Sequence, residues 1–471
     1  MLTWLYDIIF IIYVVTIVSI VVIVVSENRN PVRTLAWVSV LLMLPGLGIV
    51  LYFFFGRNIR NQHKLSRRNR RRLKKKEPDP HIDYKSLGLT PDAIQEIRLG
   101  NSLTGSHFYP GNKVEIFTCG SEKFDRIKAD LRNAKHYINI QYYIFRDDNI
   151  GKEIADILID KALSGVTVRV IYDHVGSFTT RNKFFKRMRM AGVEVYPFFR
   201  VIFPWVGSRI NWRNHRKLCV IDGRIGYLGG MNVADRYLDG GKEFECWRDT
   251  HVRVKGPIVA ALQHSFAIDW HFMGKQLITD SVNTHDIKGN VGAQLATSGP
   301  TSQWPNIAYM FHTAIGNAKR RVFIQTPYFL PTDGLLSDLI AASLSHVDVK
   351  IMLPRKCDSN LLNYASSSYI SQCLRAGIKI YFYEPGMLHS KMIVVDDDIA
   401  SIGSTNFDFR SFEHNFEANL FFYSPEIVEK TIEIFKTDLK NCTRITAEKW
   451  KKRSIWRRGA ESIIRLLSPI L

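Results

Sequence analysis

The chain has 471 residues, a formal net charge of +20 and 46% hydrophobic residues, which excludes a single ordinary core and predicts two domains with additions. Its six cysteines form no C-x-x-C pair and no Cys/His cluster at zinc spacing. They read as thiols in a reducing cytoplasm, and neither a metal nor another cofactor is expected.

Residues 8–25 carry only Thr16 and Ser19 as polar side chains, and residues 34–55 carry no charge. At about 1.5 Å per residue, either run can cross a hydrocarbon core of roughly 30 Å. A cleaved signal peptide is the alternative for the first run. No Lys or Arg precedes Arg29, however, and a second apolar run follows at once. Two membrane spans joined by SENRNPVR, a hairpin over residues 1–57, are therefore predicted. Residues 57–76 then hold eleven Lys or Arg and no acid, leaving about +9 of the net charge for everything else. Such a block beside a span stays in the cytoplasm, so the chain is expected in the cell membrane with its later domains on the cytoplasmic side. Contact of the block with an anionic membrane surface is the favoured reading; a nucleic-acid arm is the alternative.

After a basic linker, 58–110, the chain repeats itself. NAKHYINIQYYIF (133–145) resembles NAKRRVFIQTPYF (317–329), and each is followed by a helical stretch, 150–163 and 333–344. VTVRVIYDH (166–174) then mirrors VDVKIMLP (347–354), and AGVEVYPF (191–198) mirrors AGIKIYFY (376–383). Strands alternating with helices predict an α/β fold on a mixed, largely parallel sheet, built twice as domains 111–285 and 286–471 about a pseudo-twofold axis.

Each half next carries one polar grid. HRKLCVIDGRIGYLGGMNV (215–233) and HSKMIVVDDDIASIGSTNF (389–407) share His, Lys two places on, Asp at seven, Gly at fourteen and Asn at seventeen, at an offset of 174 residues. KLCVID and KMIVVD are predicted as buried strands. GYLGG and ASIGS follow as the next strand of a hairpin, with small residues where something approaches the backbone. His and Lys, two apart on a strand, point to one face, and the Asn reaches that face from the neighbour. Before His215 lies a long insert, FRVIFPWVGSRINWRN (199–214), mixing Phe203, Trp205 and Trp212 with Arg200, Arg209 and Arg213. Packed core and a loop dipping among lipid headgroups both fit it. The tail KWKKRSIWRRGAESIIRLLSPIL (449–471) fits a basic amphipathic helix on a membrane, or a cap on the second domain.

One grid makes an anion pocket: Lys217 or Lys391 brings charge, Asn232 or Asn406 a neutral donor, and Ser404 a hydroxyl where the first copy has Gly230. Two grids together supply what one lacks. A neutral imidazole, His215 or His389, attacks phosphorus while the other, protonated, gives its proton to the departing oxygen. A carboxylate is expected on the second nitrogen of each ring. Counting back from Pro257 and Pro425 gives Asp249 and Glu417, one per half, with Glu243 in reserve for His215. Asp222 and Asp396, at the strand ends, read as braces.

The doubled H-x-K-x4-D-x6-G-[GS]-x-N grid resembles the signature of the phospholipase D superfamily. With the apolar NPVRTLAWVSVLLMLPGLGIVLYFFFG before it, and WRD (247–249) and RLLSPIL with it, nearly the whole chain resembles bacterial cardiolipin synthases of that type. The resemblance implies catalytic roles for His215, Lys217, Asp222, His389, Lys391 and Asp396, and a covalent phosphohistidine. It also implies phosphatidylglycerol as substrate, cardiolipin and glycerol as products, and no nucleic-acid partner. A hydrolytic phospholipase D and a membrane-tethered nuclease share the grid and are the rival readings; a non-enzymatic scaffold is disfavoured by two intact copies.

Overall fold

The computed structural model describes residues 2–26, 31–44, 46–52, 84, 87–200 and 212–466. The basic run 57–76 and residues Phe203, Trp205 and Arg209 lie outside them. The N-terminal helices belong to one compact unit and the two repeats together to another.

In the first unit a helix covers Leu2–Ser26, a second Pro31–Met43, and a short third Leu47–Leu51. The second apolar run is thus not one continuous helix: Gly46, with φ 73°, stands at the break. Among the described residues no helix is long and apolar enough to cross a membrane.

In the second unit the first repeat contributes β1 (Phe108–Phe117), β2 (Tyr137–Tyr142), β3 (Thr167–Asp173), β4 (Glu194–Phe198), β5 (Leu218–Ile221), β6 (Ile225–Gly229), β7 (Trp247–Arg248) and β8 (His251–Lys255). The second gives β9 (Val291–Ser298), β10 (Arg321–Gln325), β11 (Phe329–Leu330), β12 (Asp348–Pro354), β13 (Lys379–Tyr383), β14 (Met387–Leu388), β15 (Met392–Val395), β16 (Ile399–Gly403), β17 (Phe407–Asp408) and β18 (Glu417–Phe422), and β19 (Cys442–Ile445) follows. Fifteen of these strands form one continuous sheet. Outward from the β1–β9 junction, both halves run in the same order: β1, β8, β6, β5, β2, β3, β4 on one side and β9, β18, β16, β15, β10, β12, β13 on the other.

The sheet is mixed but mainly antiparallel, which corrects the expectation of a largely parallel one. Only β2–β3–β4 and β10–β12–β13 pair in parallel within it. The strand–helix–strand rhythm is confined to those outer thirds, where helices Asn149–Leu163 and Asp333–Leu344 make the crossovers. The motif strands are joined by tight hairpins, and a hairpin can only be antiparallel. Apolar side chains of the parallel strands, such as Ile140 and Val170 or Ile324 and Ile351, fill the two cores. Of the six free cysteines, Cys219, Cys357 and Cys373 are buried and the rest half-buried. Trp212 is core, with its ring 5.8 Å from that of Phe199.

Two buried polar triads brace the motifs, one within the first repeat and one across the two repeats. Asp269 accepts from Gln141 at 2.8 Å and from Arg216, the residue between His215 and Lys217, at 2.6 Å. Asp438 accepts from Gln325 at 2.7 Å and pairs with Arg248 at 2.7 Å. Removing one partner of such a pair strands a buried charge, at a cost of about 3–5 kcal/mol.

Candidate active site

Asp222 and Asp396 close the hairpin turns of the two motifs, each at φ 52°, a left-handed conformation that Asp adopts more readily than most residues. The Asp222 carboxylate accepts from the backbone N–H groups of Lys135, His136 and Tyr137 at 2.8, 2.7 and 2.9 Å. Asp396 does the same with Lys319, Arg320 and Arg321 at 2.8, 2.7 and 2.9 Å. These carboxylates lock each hairpin to the start of β2 or β10. Neither lines the cavity described below, and their geometry is that of braces.

At the other end of β5 and β15 stand the histidines. His215 N–H donates to the Phe416 carbonyl at 3.0 Å, and Phe416 N–H returns a bond to Arg213 at 2.9 Å. In the other half β14 pairs in parallel with β7, and His389 N–H donates to the Arg248 carbonyl at 2.7 Å. Each histidine segment is therefore zipped to the chain of the opposite half, immediately before that half's carboxylate. The consequence is a crossed pairing. Glu417 Oε1 lies 2.9 Å from Nδ1 of His215, and Asp249 Oδ2 lies 2.6 Å from Nδ1 of His389. The expected residues are the ones in place, but each serves the histidine of the other repeat. Glu243 touches neither ring; its backbone carbonyl accepts from Lys356 at 3.0 Å.

Small residues make this approach possible. A Cβ on Gly230 would sit 2.0 Å from Oδ1 of Asp249, so no side chain fits there. In the second half the longer Glu417 leaves room for Ser404, which donates to Oε2 of Glu417 at 2.5 Å. Ser404 is buried behind the carboxylate and does not line the cavity. It supports Glu417 where a hydroxyl facing the substrate was expected.

Lys217 and Lys391 are buried, and each ammonium donates to the carbonyl of its own histidine at 2.5 Å. Burial pulls Lys217 well below the usual lysine range and lowers Lys391 to about 8, with Asp249 and Glu417 opposing the second shift. Burial also lowers both imidazoles: His215 to about 4, with Glu417 partly restoring it, and His389 well below its ordinary value, with Lys391 adding to the effect. Both rings are neutral near pH 7 before an anion arrives. Asp249 is pushed up to about 6 by burial. Burial raises Glu417 too, but His215, Lys217 and Ser404 outweigh it and hold the carboxyl below its ordinary value.

His215 and His389 both line one cavity of about 210 Å³, with Asn232 and Asn406 beside them. Asn232 accepts from Ile144 N–H at 3.0 Å and donates to the Tyr237 hydroxyl. Tyr143 meets His215 edge-on at 5.0 Å, and Trp247 lies 5.2 Å from His389. Among the described residues no group of three or more metal-ligating side chains converges. The cations of the cavity wall are Arg213, Arg236 and Arg410, with Asp358 and Asp408 as carboxylates on the same wall. Arg236 and Arg410 were missed by the reading of the motif. The signal was available, because each follows its histidine by twenty-one residues at the same 174-residue offset.

The family description "Cardiolipin synthase, PLD-like domain" matches residues 127–270 and 311–439, and "Phospholipase_D-nuclease N-terminal" matches 11–57. Major cardiolipin synthase ClsA of Bacillus subtilis is 42% identical over 461 residues, covering 95% of both chains. Cardiolipin synthase 2 of Bacillus anthracis is 41% identical over 94% of this chain and 88% of its own. Cardiolipin synthase of Geobacillus kaustophilus is 40% identical over 94% of this chain and 90% of its own. Among solved structures, a phosphatidylserine synthase from Haemophilus influenzae superposes at TM-score 0.60 with 13% identity, over 80% of this chain and all of that one. At that identity it speaks for the fold alone. A duplicated motif, one sheet built twice and full-length relatives agree: the chain belongs to the phospholipase D-like cardiolipin synthases.

Proposed function

We propose that this protein is a cardiolipin synthase that moves a phosphatidyl group from one phosphatidylglycerol to a hydroxyl of a second, releasing glycerol. The observation that carries the reading is the crossed dyad, with both Nδ1 atoms occupied by carboxylates and both rings on one cavity. Each ring then has Nε2 left for chemistry. One neutral imidazole attacks phosphorus, forming a P–N bond while the P–O bond to the headgroup glycerol breaks. The second imidazole, protonated once the anionic phosphodiester offsets the surrounding lysines, gives its proton to the departing oxygen. It then takes a proton from the acceptor hydroxyl, whose oxygen displaces the histidine from phosphorus. Asn232 and Asn406, on the cavity wall, offer donors to the phosphoryl oxygens, while Lys217 and Lys391, buried beside the histidines and off that wall, add positive charge to the site. One phosphodiester replaces another, so the exchange needs little energy from outside.

Residues 1–57 are read as a membrane hairpin, and the basic linker read as 58–110 is shortened by helix Pro91–Thr104 and by β1, whose Ala93, Ile97 and Phe108 already pack in the second repeat's core; the two repeats, read as 111–285 and 286–471, are placed on the cytoplasmic side. The apolar runs, the eleven cations of 57–76 and the match over 11–57 support that arrangement. A site held at a bilayer has its lipid acceptor at high local concentration, which favours transfer over hydrolysis.

The test is mass analysis of products from purified protein with phosphatidylglycerol in lipid–detergent micelles. Cardiolipin with equimolar glycerol is expected, and loss of turnover in His215→Ala and in His389→Ala. Phosphatidic acid as main product, or a near-normal rate in either variant, overturns the reading.

A further inference from the structure

The C-terminal helix, Ile455–Arg465, is turned inside out. At 100° per residue, Ile455, Trp456, Gly459, Ile463 and Leu466 share a stripe about 100° wide. That stripe faces away from the protein: Ile455 is 75% exposed, Trp456 87%, Ile463 67% and Leu466 79%. The opposite side, mostly charged with Ile464 among the charges, faces inward. Glu461 is 3% exposed, held by Arg453 at 2.5 Å and by Arg457 at 3.3 Å. Arg465 lies over the Tyr369 ring at 4.4 Å, and Arg457 over Tyr364 at 5.7 Å. A helix on an ordinary protein surface does the reverse, with apolar residues in and charges out. Here ion pairs, cation–π contacts and Ile464 against the core attach the helix, and its apolar stripe is presented outward.

What surrounds the stripe indicates what covers it. Lys451, Lys452 and Arg458 are exposed beside it, and a tryptophan stands at its edge. Cations around an apolar face with an interfacial aromatic match the boundary between anionic headgroups and acyl chains. The helix on which the stripe rides, Asn360–Arg375, carries Tyr364 and Tyr369 beneath it and places Leu362 in the wall of the catalytic cavity. We propose that the outward face of Ile455–Arg465 is a docking surface for an anionic phospholipid bilayer, holding the cavity rim against the lipid that supplies both substrates. The docking face stands independently of the chemistry assigned to the cavity.

The test places a nitroxide at Ile463→Cys in the full chain, in nanodiscs of equal phosphatidylcholine and phosphatidylglycerol, with Glu448→Cys as the exposed control. The six native thiols provide the background spectrum. At 463, collisions with oxygen should exceed those with a water-soluble nickel chelate, and the order should reverse at 448. Equal nickel access at both sites overturns the proposal, as does spin–spin broadening at 463, which would mark a second copy of the chain as the occupant. Ile455→Glu/Ile463→Glu should lower transfer on bilayer phosphatidylglycerol about tenfold and leave the rate on a short-chain, monomeric phosphatidylglycerol within about twofold. Equal loss on both substrates overturns docking. Absence of cardiolipin from the wild-type chain would instead overturn the proposed reaction and leave the spin-label result intact.

Discussion

Glu417 Oε1 lies 2.9 Å from Nδ1 of His215 across 202 residues of sequence, while the carboxylate of His215's own repeat serves His389. The two repeats are thus interdependent: neither half alone holds a complete imidazole–carboxylate dyad. Glu417→Gln should therefore disturb His215 in the ¹⁵N-histidine spectrum and leave His389 unchanged, with Asp249→Asn doing the converse. Each should lower kcat by about 10²–10⁴, as expected when a carboxylate no longer fixes tautomer and charge. Spectra showing Asp249→Asn acting on His215 would refute the crossed arrangement.

Activity should follow a bell-shaped pH profile. Asp249 titrates at about 6 because it is buried; below that pH it takes up a proton and stops supporting His389, so the rate falls on the acid side. Lys391 is lowered to about 8 by burial; above that pH it loses the positive charge it places beside His389, so the rate falls again. The measurement is kcat/KM for phosphatidylglycerol in neutral-detergent micelles, which avoid the surface potential of an anionic bilayer. Lys391→Arg should carry the alkaline limb upward, because guanidinium keeps its proton.

The two carboxylates are supported unequally, Glu417 by a hydroxyl and Asp249 by a bare glycine, which predicts unequal tolerance. Ser404→Ala removes a 2.5 Å bond to Glu417 and should cost about 1.5–3 kcal/mol of stability with a rate loss of about tenfold. Gly230→Ser, which makes the first half resemble the second, should be worse. Its Cβ would meet Asp249 at 2.0 Å, so the carboxylate must leave His389. Thermal melts and turnover of the two variants, side by side, decide this.

Asp222→Asn tests whether the motif aspartates act as braces. Asn tolerates the left-handed backbone, but its amide nitrogen cannot accept the N–H bonds now shared between the two carboxylate oxygens. Stability should fall by about 1–3 kcal/mol, while kcat at a permissive temperature stays within about threefold. A loss approaching that of His215→Ala at unchanged melting temperature would place Asp222 in the chemistry.

Much of this molecule was legible in one dimension. Constant-offset identities revealed the duplication, and the residue types at His215, Lys217, Asn232 and their partners announced an anion site with two imidazoles. Pro257 and Pro425 as anchors found Asp249 and Glu417, since the length of β8 and β18 is a local matter. Arg236 and Arg410 were equally readable but lay just past the familiar motif.

The direction of the sheet and the ownership of the carboxylates were not readable. Spacing within a repeat is the same whether a carboxylate turns to its own histidine or to the other, because both arrangements satisfy identical counts along the chain. The β1–β9 pairing joins the halves edge to edge, and the Phe416 and Arg248 carbonyls, bonded across the halves to the His215 and His389 N–H groups, settle which ring each acid meets. Likewise an amphipathic pattern fixes that the last helix has two faces, whereas only the packing of Glu461 against Arg453 decides which of them looks outward. Local sequence sets what each segment can present; long-range hydrogen bonding sets to whom it is presented.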